Sequence, residues 1–346
     1  MVANDRVLMS HGSGGTMMKR IIDEVFLKAF GDCPEARGDD AAVCEIATPG
    51  SDSPTRIALS TDTFVVTPRF FPGGDIGRLA VCGTVNDVAT SGAQVRYLSC
   101  GFVLEEGLPI ADLERICASM AEAASEAGVS IVTGDTKVVG QGSCDGLFIN
   151  TTGVGVVAEG IELSGANCKP GDKILISGTI GDHGIAIMST REGLSFSTTI
   201  ESDAAPLNHL ISNVLGAAPG VRCFRDPTRG GLASTLNELA SQSGVSMVVR
   251  ESAVPVSSQV RGCCEMLGYD IYQVANEGKM VCVVAPEDAQ AALDAMRASK
   301  YGENAAIIGE VVEISDNGHP LAYVSTDFGS RRIMDMLVGE QLPRIC

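Results

Sequence analysis

Apolar positions recur with two periods along the chain, and the places where the period changes mark out its elements. Met18, Ile21, Ile22, Val25, Phe26 and Phe30 keep helical spacing and predict a helix over 17–30. A second helix is predicted from Asp75 to a stop at Gly92, burying Ile76, Leu79, Ala80 and Val85; a third runs from Ile110 to Ala127, ended by Gly128. Between them 41–46, 56–66, 96–104, 129–133 and 147–157 read as strands, the second interrupted by the polar triplet Ser60-Thr61-Asp62. The turn-rich stretch SGANCKPGD follows, and the alternation then begins again. Strands are predicted at 173–177, 247–250, 280–285 and 306–312, and helices at 230–243 and 287–298. Strands alternating with helices place the chain in the α/β class. The breaks divide it into an arm (1–38), a first domain (39–158), a second domain (159–328) and a tail (329–346), whose weak periodicity predicts a flexible segment.

Composition narrows the function. A length of 346 residues suits two domains, and 45% hydrophobic residues exclude wholesale disorder. Lys and Arg number 25 against 43 Asp and Glu, a formal charge of −18 that repels nucleic-acid backbones and anionic membrane surfaces. Neither is an expected partner. A phosphate-bearing ligand would meet carboxylates and need Mg²⁺ as mediator. The amino terminus lacks the basic and apolar regions of a signal peptide, and no apolar run approaches the ~18 residues that span a bilayer. Twelve cysteines form no C-x-x-C pair, and several, such as Cys82 and Cys282, sit in apolar runs as small core residues. A soluble, reduced, cytoplasmic protein is expected.

Candidate chemistry concentrates in acidic residues beside glycine-rich turns: Gly38-Asp39-Asp40, Ser60-Thr61-Asp62, Asn86-Asp87, Thr133-Gly134-Asp135-Thr136-Lys137 and Arg225-Asp226-Pro227. Ligands of open α/β sheets bind at the turns where strands end, and converging carboxylates there would hold Mg²⁺ and, through it, phosphate oxygens. Helix capping and turn initiation are the alternative roles for each Asp. Asp87 is harder to assign to a cap, because Asn86-Asp87 falls inside a predicted helix. There is no P-loop and no G-x-S-x-G elbow. Gly153-Val154-Gly155 continues as strand, so a dinucleotide fingerprint is not expected there. His11-Gly12-Ser13-Gly14-Gly15 is either an anion-binding nest or an ordinary turn. The histidines at 11, 183, 209 and 319 never fall at metal-ligand spacing. Cys346, the last residue, is expected to be exposed, with its own carboxylate raising the thiol pKa. It is either an accident of where the chain stops or an arm that carries a group into a site.

The blocks SHGSGG, GDDAAV, STDTFVVTPRFFPGGDIGRLAVCGTVNDVA, VTGDTKVV, RDPTRGGLASTLNEL, ANEGK and the terminal PRIC, in that order from Ser10 to Cys346, resemble the HypE family of hydrogenase maturation proteins. That family belongs to the PurM-like superfamily of aminoimidazole ribonucleotide synthetase and selenophosphate synthetase. One departure is Gly329-Ser330-Arg331, where the family pattern has Gly-Gly before the Arg. The resemblance implies two α/β domains, a homodimer whose amino-terminal sheets pair into a barrel, and ATP in a cleft bounded by both domains. It implies Asp40, Asp87 and Asp226 as Mg²⁺ ligands, and Asp62, Asn86, Asp135 and Asn150 around the nucleotide. Cys346 would be carbamoylated by the carbamoyltransferase HypF and dehydrated to a thiocyanate, with Lys137 as electrostatic clamp and Glu277 as proton acceptor. The cyanide would pass to iron on HypC–HypD, as a ligand for [NiFe] hydrogenase. A selenophosphate synthetase would instead carry a Cys near the glycine-rich arm, and no Cys precedes Cys33. A non-enzymatic metal scaffold is the alternative from another class.

Overall fold

The computed structural model describes residues 6–12, 15–30, 38–50, 53–193, 200–314, 318–337 and 344–346. The arm's glycine-rich turn at residues 13 and 14, Cys33 and tail residues 338–343 lie outside them. The helix expected over 17–30 is α1 (Gly15–Ile21), a wider-wound turn at Ile22–Leu27, and α2 (Lys28–Phe30).

The first domain contains β1 (Ala42–Ile46), β2 (Thr55–Phe64), the short hairpin β3 (Phe70–Phe71) and β4 (Gly74–Asp75), α3 (Ile76–Thr90), β5 (Ala93–Glu105), α4 (Ile110–Ala127), β6 (Ser130–Val139) and β7 (Leu147–Val157). Its five-stranded sheet runs β1-β2-β7-β5-β6. Asp75 starts α3 by accepting from the N–H groups of Gly77 (2.8 Å) and Arg78 (3.0 Å). The helix is then buried on almost every side, because it lies between this sheet and the second domain. Side chains of β7 alternate: Ile149 and Thr151 turn inward under α3, while Asn150 and Val156 turn outward. Among the described residues nothing covers the outer face. Tyr97, Val132, Val138 and Val156 are all exposed on that sheet, and β6 is an open edge.

Two polar stretches that read as interruptions are continuous strand. Ser60-Thr61-Asp62 stays in register with Gly153, Thr152 and Thr151 of β7. Thr133–Lys137 pairs with Ser99–Val103 of β5. Gly134 marks no turn; a Cβ there would lie 2.1 Å from the Cys100 carbonyl oxygen, just after the register shift between Leu98 and Ser99. A glycine inside a strand here signals close backbone approach.

The second domain comprises β8 (Lys173–Ile176), α5 (Asp182–Arg191), α6 (Asn208–Ala217), β9 (Val221–Arg225), α7 (Gly231–Ser243), β10 (Ser246–Arg250), α8 (Ser258–Leu267), β11 (Val281–Val284), α9 (Ala289–Ala298), β12 (Ala306–Val312), β13 (Ala322–Ser325) and β14 (Arg331–Ile333). The sheet order is β14-β13-β10-β12-β8-β11-β9. Alternate residues feed two cores: Ile174, Ile176, Val281 and Val283 pack with Leu232, Leu236 and Leu239 of α7, while Leu175, Cys282 and Val284 join a core continuous with the first domain.

Asn86 closes the seam between the domains. It is fully buried; its Oδ1 accepts from the Leu207 N–H (2.7 Å) and its Nδ2 donates to the carbonyls of Ala205 (3.0 Å) and Glu277 (3.2 Å). Asn86→Ala would leave those three backbone groups unpaired in a dry interface. We expect it to lower unfolding stability by about 2–4 kcal/mol in chemical denaturation.

Candidate active site

The seam opens into a cleft into which several carboxylates are fed by different elements. Ser60 and Asp62 lie on the inner side of β2, and the Ser60 hydroxyl donates to Asp87 Oδ2 of α3 (2.9 Å). Asp40 precedes β1 and meets Arg225 Nε at 3.2 Å, while the same guanidinium reaches Glu238 (2.8 Å). Asp39, next to it, is turned away to the second domain, where it accepts from Ser164 Oγ and the Gly165 N–H, both at 2.8 Å. Asp226 follows β9 on a loop that Asn276 pins: Asn276 donates to the Pro227 carbonyl (2.8 Å) and accepts from the Gly181 N–H (2.7 Å). The same loop ends in Gly230-Gly231, both in left-handed conformation; a Cβ on Gly231 would meet the Val274 carbonyl oxygen at 2.5 Å. Glu277, next along from Asn276, is buried with its Oε1 unpartnered.

These groups repel one another. Burial, then Asp62, Asp226 and Asp40, holds Asp87 well above the usual carboxylate range. Burial with Asp40 and Asp62 does the same to Asp226, and burial with Asp226, Asp203 and Asp62 to Glu277. Asp40 rises to about 6, mainly through burial, although Arg225 opposes the rise. The nearby cations, Arg225 and Arg229, do not offset this crowding of acids. Among the described residues no three His, Cys, Asp or Glu already converge as a metal cage. Yet Asp40 Oδ2 is buried without a partner, beside carboxylates that a cation would allow to ionise. Hard oxygen donors of this kind fit Mg²⁺, which keeps several waters of its own.

The chain's end occupies the same cleft. Cys346 is half-buried, and burial pushes its thiol up to about 12, with Arg229 pulling it down and Glu277, Asp62 and Asp226 adding to the rise. The expected free, exposed thiol is therefore a seated one, and desolvation is the main cause of its raised pKa. Arg229 Nη1 also donates to the Gly12 carbonyl of the arm (2.7 Å).

The remaining sequence candidates stand elsewhere. Asn150, Asp135 and Lys137 lie on the outer face of the sheet, in a row where Thr63 pairs with Asn150, Asn150 with Gly101, and Gly101 with Asp135. Asn150 Nδ2 donates to the Asp62 carbonyl (2.9 Å) and Thr63 Oγ1 (3.0 Å). Lys137 pairs with Asp135 at 2.5 Å, both exposed. Asn86 is turned into the seam, fully buried, with its amide bonded to three backbone groups of the second domain. Arg229, Asn276 and His183 were missed. The first two lie in the RDPTRGG and ANEGK blocks, where the sequence drew attention to their acidic neighbours, and a lone buried His carries no signal.

Residues 38–157 match the AIR synthase related protein N-terminal domain and 169–318 the C-terminal domain of the same name. A protein of Cupriavidus necator named carbamoyl dehydratase HypE is 54% identical over 345 residues, which cover 100% of this chain and 96% of that one. The chain belongs to the HypE family. A crystal structure of HypE in complex with ATP is similar with a TM-score of 0.82 and 48% identity, covering 99% of this chain and 100% of that one. A HypE–HypF complex is similar at 0.84 and 49%, covering 92% and 99%. These relatives favour neither a selenophosphate synthetase nor a metal scaffold. Among the described residues no helix is long and apolar enough to cross a membrane.

The carboxylate cluster sets a pH dependence. For an acid whose folded pKa is raised, the unfolded chain ionises first, so stability is full below the ordinary value and falls as pH rises through the folded one. In metal-free protein the contribution of Asp40 falls away between about 4 and about 6, and those of Asp87 and Asp226 extend the loss upward. Fluorimetric melting should give a lower Tm at pH 8 than at pH 6. Either Mg²⁺ or Asp87→Asn should recover about 2–5 °C at pH 8. A Tm at pH 8 that neither moves would contradict the shared acidic site.

Proposed function

We propose that this chain dehydrates an S-carboxamide carried on its own Cys346 to a thiocyanate at the expense of ATP. The observation that carries this reading is the seating of Cys346 in the carboxylate cleft, facing Arg229 and Glu277. An amide oxygen does not leave as oxide. Transfer of the γ-phosphoryl group to it makes phosphate the leaving group; the two amide protons are given up and the C≡N bond forms. Asp40, Asp87 and Asp226 would hold Mg²⁺, which when bound supplies charge neutralisation at the phosphates. Asp62 lines the same inner pocket, and Glu277, held protonated by burial until the cleft gains positive charge, is the candidate proton acceptor. Arg229 is placed to balance charge that develops beside Cys346.

Asn150, Asp135 and Lys137 enter the reaction through a second copy. The uncovered outer face carries them beside exposed Tyr97 and Val156, and pairing two such sheets into a barrel would cover that face. Lys137 would then lie in the subunit interface, where its role is that of an electrostatic clamp. The expected partners are HypF, which would carbamoylate Cys346, and the iron-bearing HypC–HypD complex, which would receive the cyanide. The described cysteines are all free thiols, which fits the reducing cytoplasm.

Intact mass decides the reaction. After carbamoylation by HypF, addition of MgATP should lower the mass increment on Cys346 by about 18 Da, the water lost from the covalent adduct. An ATP analogue unable to transfer its γ-phosphate should leave it unchanged. Cys346→Ala should keep MgATP binding and give no adduct; conversion in that variant would end the carrier reading. Light scattering at micromolar concentration should give twice the single-chain mass, and a monomer there would remove the barrel.

A further inference from the structure

Catalysis by a carried group needs the carrier held still, and the residues that hold it are separate from the carboxylate cleft. Arg344–Cys346 lie beside 65–67 and bond to its backbone: the Val65 N–H donates to a terminal carboxylate oxygen of Cys346 (3.0 Å), the Thr67 N–H to the Arg344 carbonyl (3.3 Å), and Arg344 Nε to the Val65 carbonyl (3.0 Å). Arg344 also pairs with Asp145, and Arg191 of α5 donates to the carbonyls of Arg344 and Thr67. The Ile345 side chain is 3% exposed, packed into the main core. Its carbonyl is 2.8 Å from His183 Nε2, and His183 Nδ1 is 2.8 Å from Ser202 Oγ. A carbonyl only accepts, so Nε2 carries the hydrogen, and the neutral ring then accepts the Ser202 hydroxyl proton at Nδ1. The imidazole is 0% exposed and sits edge-on to Phe71, with 5.6 Å between ring centroids.

We propose that His183 is a positioning residue that latches the carboxy-terminal tail through the Ile345 carbonyl, holding Cys346 in the cleft for dehydration and releasing it for loading. This rests on the carrier reading of Cys346. It goes beyond that reading by assigning the seated state to a named donor that touches neither nucleotide nor thiol. With the tail withdrawn, the His183 N–H would face an emptied apolar slot without an acceptor, so the latch favours the seated state. Release exposes the thiol and lowers its pKa toward the ordinary range, which makes the tail open to a modifying partner.

The test reads Cys346 directly. Full-length protein is alkylated with iodoacetamide at pH 8, and the peptide bearing Cys346 is followed by mass spectrometry. His183→Ala should react at least about ten-fold faster than wild type, because both access and thiolate fraction rise. His183→Gln, whose amide N–H can take the place of the imidazole donor, should stay within about two-fold. Ile345→Ala, which leaves α5 untouched, should react faster too, so the proposal survives a folding defect in the histidine variant. With HypF and MgATP, His183→Ala should load Cys346 at least as fast as wild type yet convert the loaded group more slowly. A loss of both steps together, or equal alkylation of wild type, His183→Ala and Ile345→Ala, would overturn the latch. If Cys346 is never carbamoylated while the alkylation rates still separate, the latch stands and the carrier reading falls.

Discussion

Two neighbouring residues of one helix set the geometry on which the rest depends. Asn86 commits three side-chain hydrogen bonds, both amide hydrogens included, to the backbone of the second domain at Ala205, Leu207 and Glu277. Asp87, one position on, is thereby carried to the mouth of the seam, where it meets Asp226 from the other domain. Because the Asn86 bonds are short and dry, the spacing between the domains is fixed at the point where charge must converge. The cost is electrostatic: several acids share a pocket with Arg225 and Arg229 as its nearby cations. Strain of this kind belongs to a site that awaits a cationic ligand, since a fold selected only for stability would replace an unpaired buried acid.

The seated tail changes how the terminal thiol is understood. In the cleft the Cys346 thiol, at about 12, is a poor nucleophile. That is unhelpful for acquiring a group and harmless once the group is attached, because a carboxamide has no thiol proton to lose. On the proposed carrier role, the two demands on Cys346 therefore belong to two positions of the same tail. Seating is made from backbone bonds to 65–67, the His183 and Arg191 bonds to tail carbonyls and the buried Ile345 side chain, contacts that do not depend on whether the sulfur is loaded.

Much of this was legible in the residues. The helices over 110–127 and 230–243 and the strands over 147–157 and 306–312 come out where their periods and glycine stops place them, because each has one buried and one wetter face or a bounded apolar run. Two kinds of element were not legible. The helix Asp182–Arg191 is buried on nearly all sides, so it has no amphipathic stripe to betray it. Short strands such as Ala322–Ser325 and Arg331–Ile333 owe their state to a neighbouring strand rather than to their own pattern. At the site, acids beside turns pointed to Asp40, Asp62, Asp87 and Asp226, but residue type could not separate Asn86, a structural clasp, from Asp87, whose side chain joins the carboxylate cluster. Nor could it show that Asp135, read as part of a turn, stands in a strand, since Gly134 has the same letters whether it bends the chain or lets Cys100 approach.

The faces of the amino-terminal sheet give the last step. Asp62 and Asp87 lie on its inner side, and Asn150, Asp135 and Lys137 on its outer side, so the thickness of a sheet separates two halves of one candidate machinery. Within one subunit the cation beside Cys346 is Arg229, and Lys137 is occupied by Asp135. If Lys137 is needed for chemistry, the outer face must be brought to a cleft by another copy, and the exposed apolar residues beside it supply the reason for that copy to bind. If it is not, Arg229 and Glu277 suffice, and the polar row on the outer face serves assembly instead. The two cases differ in where the reaction is completed, across a subunit boundary or inside one chain. The open edge of β6 and the uncovered face beside it favour the boundary, because they leave apolar surface in water that a self-sufficient subunit would have no cause to expose.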